Sequence, residues 1–280
     1  RNVEIKGLYM DDLYLWSCFG EQSFFQYVFP IGSTRFRFLY YLAAWLEMAF
    51  VGSHVSWFVP INILINTMVA WTIYFMGRSL SRSKAVGFVC GAMYLVTRMA
   101  YYQIGQVLGL METMALWMAI GILWCLYRYL NEERREGLFY ISCALYFGVC
   151  FVHERYMVLF PLLLLALAVK RCRNPKAWAS AIGAFLVMQL IRFLAIGTVL
   201  PAGTGRTQVA ETFSIGQAIV YAANQIGYIF GWNLGPEHLN GCPWSVTPFW
   251  VKGLVILGDV MVLLLAMGFL LRIVREKEKA

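Results

Sequence analysis

Seven apolar runs, at about 55–77, 85–104, 110–130, 137–152, 156–169, 177–199 and 249–271, limit what this chain can fold into. Inside hydrocarbon every backbone N–H and C=O must be satisfied within its own segment, so such runs read as helices crossing a core ~30 Å thick. The runs at 137–152 and 156–169 are short, and Pro161 interrupts the second. An eighth run, 38–51, is too short to span and carries Glu47, so it reads as an amphipathic helix at the membrane interface. Of the 280 residues, 60% are hydrophobic and 14% charged, against about 25% charged in a soluble domain. The expected fold is all-α: a polytopic transmembrane bundle of about seven spans, with interfacial helices in the first outer loop.

The formal net charge of +8 is spread in short clusters between the runs rather than along one face or tail, which excludes a nucleic-acid partner. Arg78, Arg82 and Lys84 follow the first run; Arg128, Arg134 and Arg135 follow the third. Lys170, Arg171, Arg173 and Lys176 follow the fifth, and Arg272, Arg275, Lys277 and Lys279 follow the last. If every run crosses, these clusters all fall on one side, the cytoplasmic side by the positive-inside pattern. The chain then reads as one transmembrane domain over 1–280. It has an outer loop at 1–54, six spans over 55–199, a second outer loop at 200–248 and a last span at 249–271. A span is expected before Arg1. The cysteines are scattered without zinc spacing.

The acidic residues are distributed the other way. Five of the 15 lie in the cytoplasmic loops, and the rest do not. Asp11 and Asp12 are adjacent, within Tyr9-Met10-Asp11-Asp12-Leu13-Tyr14-Leu15-Trp16, and aromatic residues at this density mark the headgroup region. A partly desolvated carboxylate there can take a proton from an attacking hydroxyl. The plainer alternative is a helix N-cap followed by a first-turn acid.

His153-Glu154-Arg155 interrupts a long apolar stretch with no Gly, Asn or Pro beside it. Arg155 can bind a lipid phosphate bidentately, oriented by Glu154; a self-neutralising Glu–Arg pair at the interface explains the turn equally well. Tyr102, Gln103 and Glu112 cluster at the outer ends of two runs, as an acceptor pocket or, for Glu112, as a charge favouring a helix N-terminus. Arg35 and Arg37 after Gly32-Ser33-Thr34 fit phosphate contacts or headgroup anchors. Arg206 lies in the Gly-rich part of the second outer loop, and Arg192 and Asp259 inside runs read as an internal pair.

An outer acidic pair, an interfacial helix and then many spans resembles the GT-C superfamily of membrane glycosyltransferases, which includes the protein O-mannosyltransferases and the bacterial lipid A aminoarabinose transferases. Asp11-Asp12 matches the acidic pair of that family's first external loop. The stretch His153-Glu154-Arg155-Tyr156-Met157-Val158-Leu159-Phe160-Pro161 looks like its basic–acidic outer turn, with His153 where Lys is more usual. The resemblance implies a multi-pass enzyme of the bacterial cytoplasmic membrane that works at the outer face among membrane lipids. A sugar leaves a polyprenyl-phosphate donor with inversion and joins a hydroxyl of a glycan, lipid or protein acceptor. Asp11 or Asp12 is then the general base, and Arg155, His153 and Glu154 with Arg35, Arg37 or Arg206 serve the phosphate. Tyr9, Tyr102, Gln103 and Glu112 line the acceptor side. Some members use a divalent metal, the one cofactor the resemblance brings; no residue is assigned to it. The competing classes are a multi-pass transporter or flippase for lipid-linked glycans and a membrane acyltransferase. The first needs inverted repeats and midplane binding groups, and the second a partnered catalytic His; neither signal is visible.

Overall fold

The computed structural model describes residues 11–96, 100, 104, 109–132, 135–199, 214–229 and 244–277, and among them every regular element is a helix. The chain divides into two units, Arg1–Thr207 and Gln208–Ala280. The first holds α1 (Asp11–Glu21), α2 (Phe24–Val28), α3 (Phe38–Val51) and a 3₁₀ turn (Val55–Trp57) leading into α4 (Phe58–Ser81). It continues with α5 (Lys84–Val96), α6 (Gly109–Asn131), α7 (Glu136–Val152), a 3₁₀ helix (Glu154–Leu159), α8 (Phe160–Val169) and α9 (Pro175–Ile196). The second unit holds α10 (Ile215–Ile229), a 3₁₀ turn (Trp244–Val246) and α11 (Phe249–Lys277).

Among the described residues three helices are long and apolar enough to cross a membrane: Val55–Ser81, Gly109–Asn131 and Pro175–Ile196. The expectation of about seven such helices is not met among the described residues. Two of the other runs give short helices: α7 has 17 residues and α8 has 10. At ~1.5 Å per residue, even the longest of these falls a few ångströms short of a ~30 Å core. The long helices turn large apolar side chains outward, including Leu64, Trp71, Leu186, Leu190 and Leu194, all more than half exposed. An apolar surface of this extent suits lipid and not water.

Local chemistry sets the helix ends. Asn174 caps α9 by accepting the Lys176 N–H at 3.0 Å, and Pro175 stands at the first helical position, where its missing N–H costs nothing. Gly197 closes the same helix in the left-handed conformation (φ +73°), donating to Phe193 O at 2.8 Å. Lys170, just beyond α8, donates to the Tyr129 carbonyl at 2.6 Å and the Glu132 carbonyl at 3.2 Å, so the C-terminal ends of α6 and α8 meet. Asn66, fully buried, joins α4 to its neighbours: it accepts from the Tyr94 hydroxyl at 2.6 Å and donates to the Thr113 hydroxyl at 3.5 Å. Satisfied polar contacts of this kind hold helices together where the surroundings offer no hydrophobic drive.

α4 and α5 form a close hairpin in which glycine lets the backbones approach. A Cβ on Gly87 would lie 2.6 Å from the Tyr74 carbonyl oxygen, and one on Gly91 2.9 Å from that of Ala70. Both obstacles are backbone and cannot swing away. Gly87→Ala is therefore expected to cost about 1–3 kcal/mol by overpacking, read as a lower thermal midpoint in detergent; Gly183→Ala, whose Cβ meets nothing within 4 Å, is the control.

The first loop is a small helical layer. Asp12, Leu15, Trp16 and Phe19 recur at i, i+3, i+4 and i+7 on one face of α1, and Phe19 meets Trp45 of α3 with ring centroids 4.5 Å apart. Tyr27 of α2 closes on the same Trp45 at 5.3 Å. α3 occupies the expected 38–51, but it is not amphipathic in the expected sense: Leu46 and Phe50 face outward, and Glu47 lies on the buried face with Tyr40, Ala44, Met48 and Val51. Backbone pairing fastens the layer to the bundle, because Gly32 N–H donates to Ala195 O at the end of α9 at 2.8 Å.

Candidate functional site

The turn between α7 and α8 explains how His153-Glu154-Arg155 reverses direction without Gly or Pro. His153 ends α7 in an extended conformation, and its Nδ1 accepts the Arg155 N–H at 3.3 Å, capping the following 3₁₀ helix. With Nδ1 accepting, the neutral ring carries its proton on Nε2, which points at Glu112 Oε1 3.4 Å away. The turn residue that appeared to be missing is His153 itself.

Glu154 is directed inward by this turn and meets Arg37, supplied by the segment before α3. Ser33 shapes that segment, donating to Arg35 O at 2.6 Å and accepting the Arg35 N–H at 3.3 Å. Arg37 Nε and NH2 donate to the two Glu154 oxygens, each at 2.6 Å, and both side chains are buried. Arg35 approaches the same carboxylate at 3.7 Å. Burial pushes the Glu154 carboxyl up, but the bidentate bond and charge of Arg37 outweigh it and hold the group at about 2. Burial likewise works against the Arg37 cation, and the Glu154 partnership more than restores it, raising it above its ordinary value.

Two sequence expectations need correction here. Glu154 does not orient Arg155; it pairs with Arg37, and Arg155 is held by Glu112 at 3.2 Å. Arg37 is neither a headgroup anchor nor a free phosphate ligand, because its donors are spent inside the protein. Arg35 and Arg155 differ: their side chains are 46% and 65% exposed, and each is tied at one edge to a carboxylate below. Around this turn Arg35, Arg37 and Arg155 stand against Glu112 and Glu154, leaving a positive excess at the exposed rim. Arg192 of α9, read from sequence only as internal glue, is buried and feels both Glu154 and Arg37.

Asp11 and Asp12 are the first two described residues of α1. Asp12 is 4% exposed and faces the α3 layer. Beside it lies Glu47, 8% exposed, whose carboxyl is pushed up to about 8, first by burial and then by Asp12. The hydroxyls of Tyr27 and Tyr40 are buried nearby and raised above the ordinary phenol range, chiefly by burial. Read from sequence, Glu47 is only the polar part of an interfacial helix, and Tyr27 and Tyr40 are not singled out. The signal was present, since an acid in an otherwise apolar 14-residue helix is unusual. Tyr40 and Tyr41, with ring centroids 5.4 Å apart, connect the two groups: Tyr40 feels Asp12 and Glu47, and Tyr41 feels Arg37 and Glu154.

Tyr9, Tyr102, Gln103 and Arg206 lie outside the described residues, as does the side chain of Asp11. Among the described residues no three His, Cys, Asp or Glu side chains come together as a group that could hold a metal ion. Comparison with protein-family models, curated proteins and solved structures finds no match.

Proposed function

We propose that this chain is an integral membrane glycosyltransferase that takes its sugar from a polyprenyl-phosphate donor at the outer face of the membrane. The observation that carries the reading is the positive rim at the α7–α8 turn: two exposed guanidinium groups, Arg35 and Arg155, each anchored by a carboxylate, one tyrosine pair away from the buried acid Asp12. Pre-anchored guanidinium groups lose little freedom on binding and match phosphate geometry. A general base needs a carboxylate close to where the acceptor hydroxyl meets the donor.

In this reading the acceptor oxygen attacks the anomeric carbon as its proton passes to the Asp12 carboxylate. The bond from that carbon to the phosphate oxygen breaks, its electron pair leaves with the phosphate, and configuration inverts. Arg35 and Arg155 meet the negative charge that grows on the leaving phosphate, a preorganised electrostatic contribution. Arg37 and Glu154 position the turn and do not touch substrate. The proposed topology keeps seven crossings. The 3₁₀ stretch Glu154–Leu159 rises ~2.0 Å per residue, so with α8 it reaches about 27 Å, close to the bilayer core. The contacts that join Gly32 to Ala195 and Arg37 to Glu154 put the first loop, the α7–α8 turn and the end of α9 together. The contacts of Lys170 gather the basic ends elsewhere.

The test of the phosphate rim is the double variant Arg35→Ala, Arg155→Ala. Both side chains are solvent-facing, so the fold is expected to persist with an unchanged thermal midpoint. The KM for a polyprenyl-phosphate hexose should rise about tenfold or more, from the loss of two charge-assisted contacts worth roughly 1.5–3 kcal/mol each before screening. A KM that stays within twofold would remove the phosphate role from this rim.

A further inference from the structure

The buried carboxyl of Glu47 has no part in the chemistry above, yet it is placed against it. Neither Glu47 oxygen has a hydrogen-bond partner among the described residues, and the hydroxyls of Tyr27 and Tyr40 are likewise buried and unpartnered there. Tyr40, at 1% exposure, feels both Asp12 and Glu47, and Tyr27 feels Glu47. Four oxygen-bearing side chains from α1, α2 and α3 therefore converge in a buried layer. A carboxylate left in such a place without a donor or a cation is far costlier than the neutral acid.

We propose that Glu47 is a positioning residue for Asp12: it enters the reaction as a neutral carboxylic acid, leaves Asp12 as the one negative charge of the pair, and so sets how readily the aspartate accepts the substrate proton. This rests on the proposed transferase reading. Among the described residues, the groups that face Glu47 are Asp12 from α1, Tyr27 from α2 and Tyr40 from its own helix. α3 also packs against α6 and α7, where the nearby acids Glu112 and Glu154 are engaged by Arg155 and His153 and by Arg37. In the forward step the acceptor O–H bond breaks, its proton moves to Asp12, and Glu47 keeps its own. The pair goes from one negative charge to none. If Glu47 ionises, the pair starts with two buried negative charges, which repel, and the face that α1 and α3 share loosens around Asp12. The device matches paired carboxylates that share a single proton in other settings.

The experiment has two arms on the full chain in detergent or liposomes. Infrared difference spectroscopy, with no substrate present, is expected to show the carbonyl band of a protonated carboxyl at pH 7. That band should fade near pH 8 and be missing in Glu47→Gln. Its absence from the wild-type spectrum at pH 7 would overturn the proposal, whatever the activity. The second arm follows sugar transfer against pH. The wild type is expected to lose rate as pH rises through about 8, and Glu47→Gln should lack that limb. Glu47→Ala should lose about tenfold at pH 7 with Glu47→Gln recovering most of it, as a change of roughly one unit in the proton affinity of Asp12 implies. Identical pH profiles for wild type and Glu47→Gln would overturn the positioning role. A normal infrared result with no transfer by the wild type would instead count against the transferase reading alone.

Discussion

Arg37→Ala is expected to destabilise the protein by about 3–5 kcal/mol, the range for breaking a buried ion pair from one side. The loss does not measure the attraction between Arg37 and Glu154. It reflects what remains: a buried carboxylate without the two 2.6 Å donors it was built around, in a turn that cannot swing it out to water. The thermal midpoint in detergent should fall by an amount of order 10 °C. Replacing both partners by apolar residues of similar size, Arg37→Met with Glu154→Leu, should recover most of that loss, because no orphaned charge is left. The same pair fixes an acid dependence. Glu154 titrates at about 2 in the folded protein against 4.5 as its ordinary value. The unfolded chain therefore binds the extra proton in the interval between the two. The stabilisation is present above about pH 4.5 and is lost as pH falls through 2, roughly 3 kcal/mol in all. Stability of the wild type measured from pH 5 to pH 2 should show this loss, and Glu154→Gln should flatten it.

Glu47 works in the opposite direction, which separates the two buried acids experimentally. Its folded value of about 8 lies above 4.5, so its contribution to stability is full below pH 4.5 and declines as pH rises toward 8. Acidification should weaken the Glu154 contact and relieve Glu47, two slopes of opposite sign in adjoining pH windows.

The helices themselves were largely legible in the sequence. The run at 177–199 became Pro175–Ile196 and the run at 110–130 became Gly109–Asn131, because apolar length acts locally. The number of spanning helices was read less well. Apolar content does not reveal that the start of the run at 156–169 winds as a 3₁₀ helix. The candidate site divided in the same way. That His153, Glu154 and Arg155 matter was visible from three ionisable residues in an apolar stretch; which partner each would take was not. Glu154 bonds to a residue 117 positions earlier, and the neighbour Arg155, adjacent in sequence, points to Glu112. Consecutive residues in a helical turn face different directions, so adjacency was the wrong guide. Glu47 was hidden for a related reason. A single acid in a short apolar helix reads as the polar side of an interfacial segment until its buried face is known.

Asp12→Asn carries the other large expected effect, and it bears on the central claim. Asparagine keeps the size of the side chain and its capacity to accept hydrogen bonds, but it cannot take up a proton at neutral pH. Loss of a positioned general base lowers the rate by about 10²- to 10⁴-fold. The KM for the donor should change little, since the proposed phosphate contacts are Arg35 and Arg155. The fold is expected to survive because asparagine keeps the size of the side chain and an oxygen that accepts hydrogen bonds. The most direct measurement is transfer of radiolabelled sugar from a polyprenyl phosphate to added acceptors, by the full-length protein in sealed liposomes with donor and acceptor on the outer-face side. The account predicts label in the acceptor, free polyprenyl phosphate in equal amount, and a loss of at least 100-fold in Asp12→Asn that leaves the donor KM and thermal midpoint in place. Transfer by Asp12→Asn at the wild-type rate would contradict it.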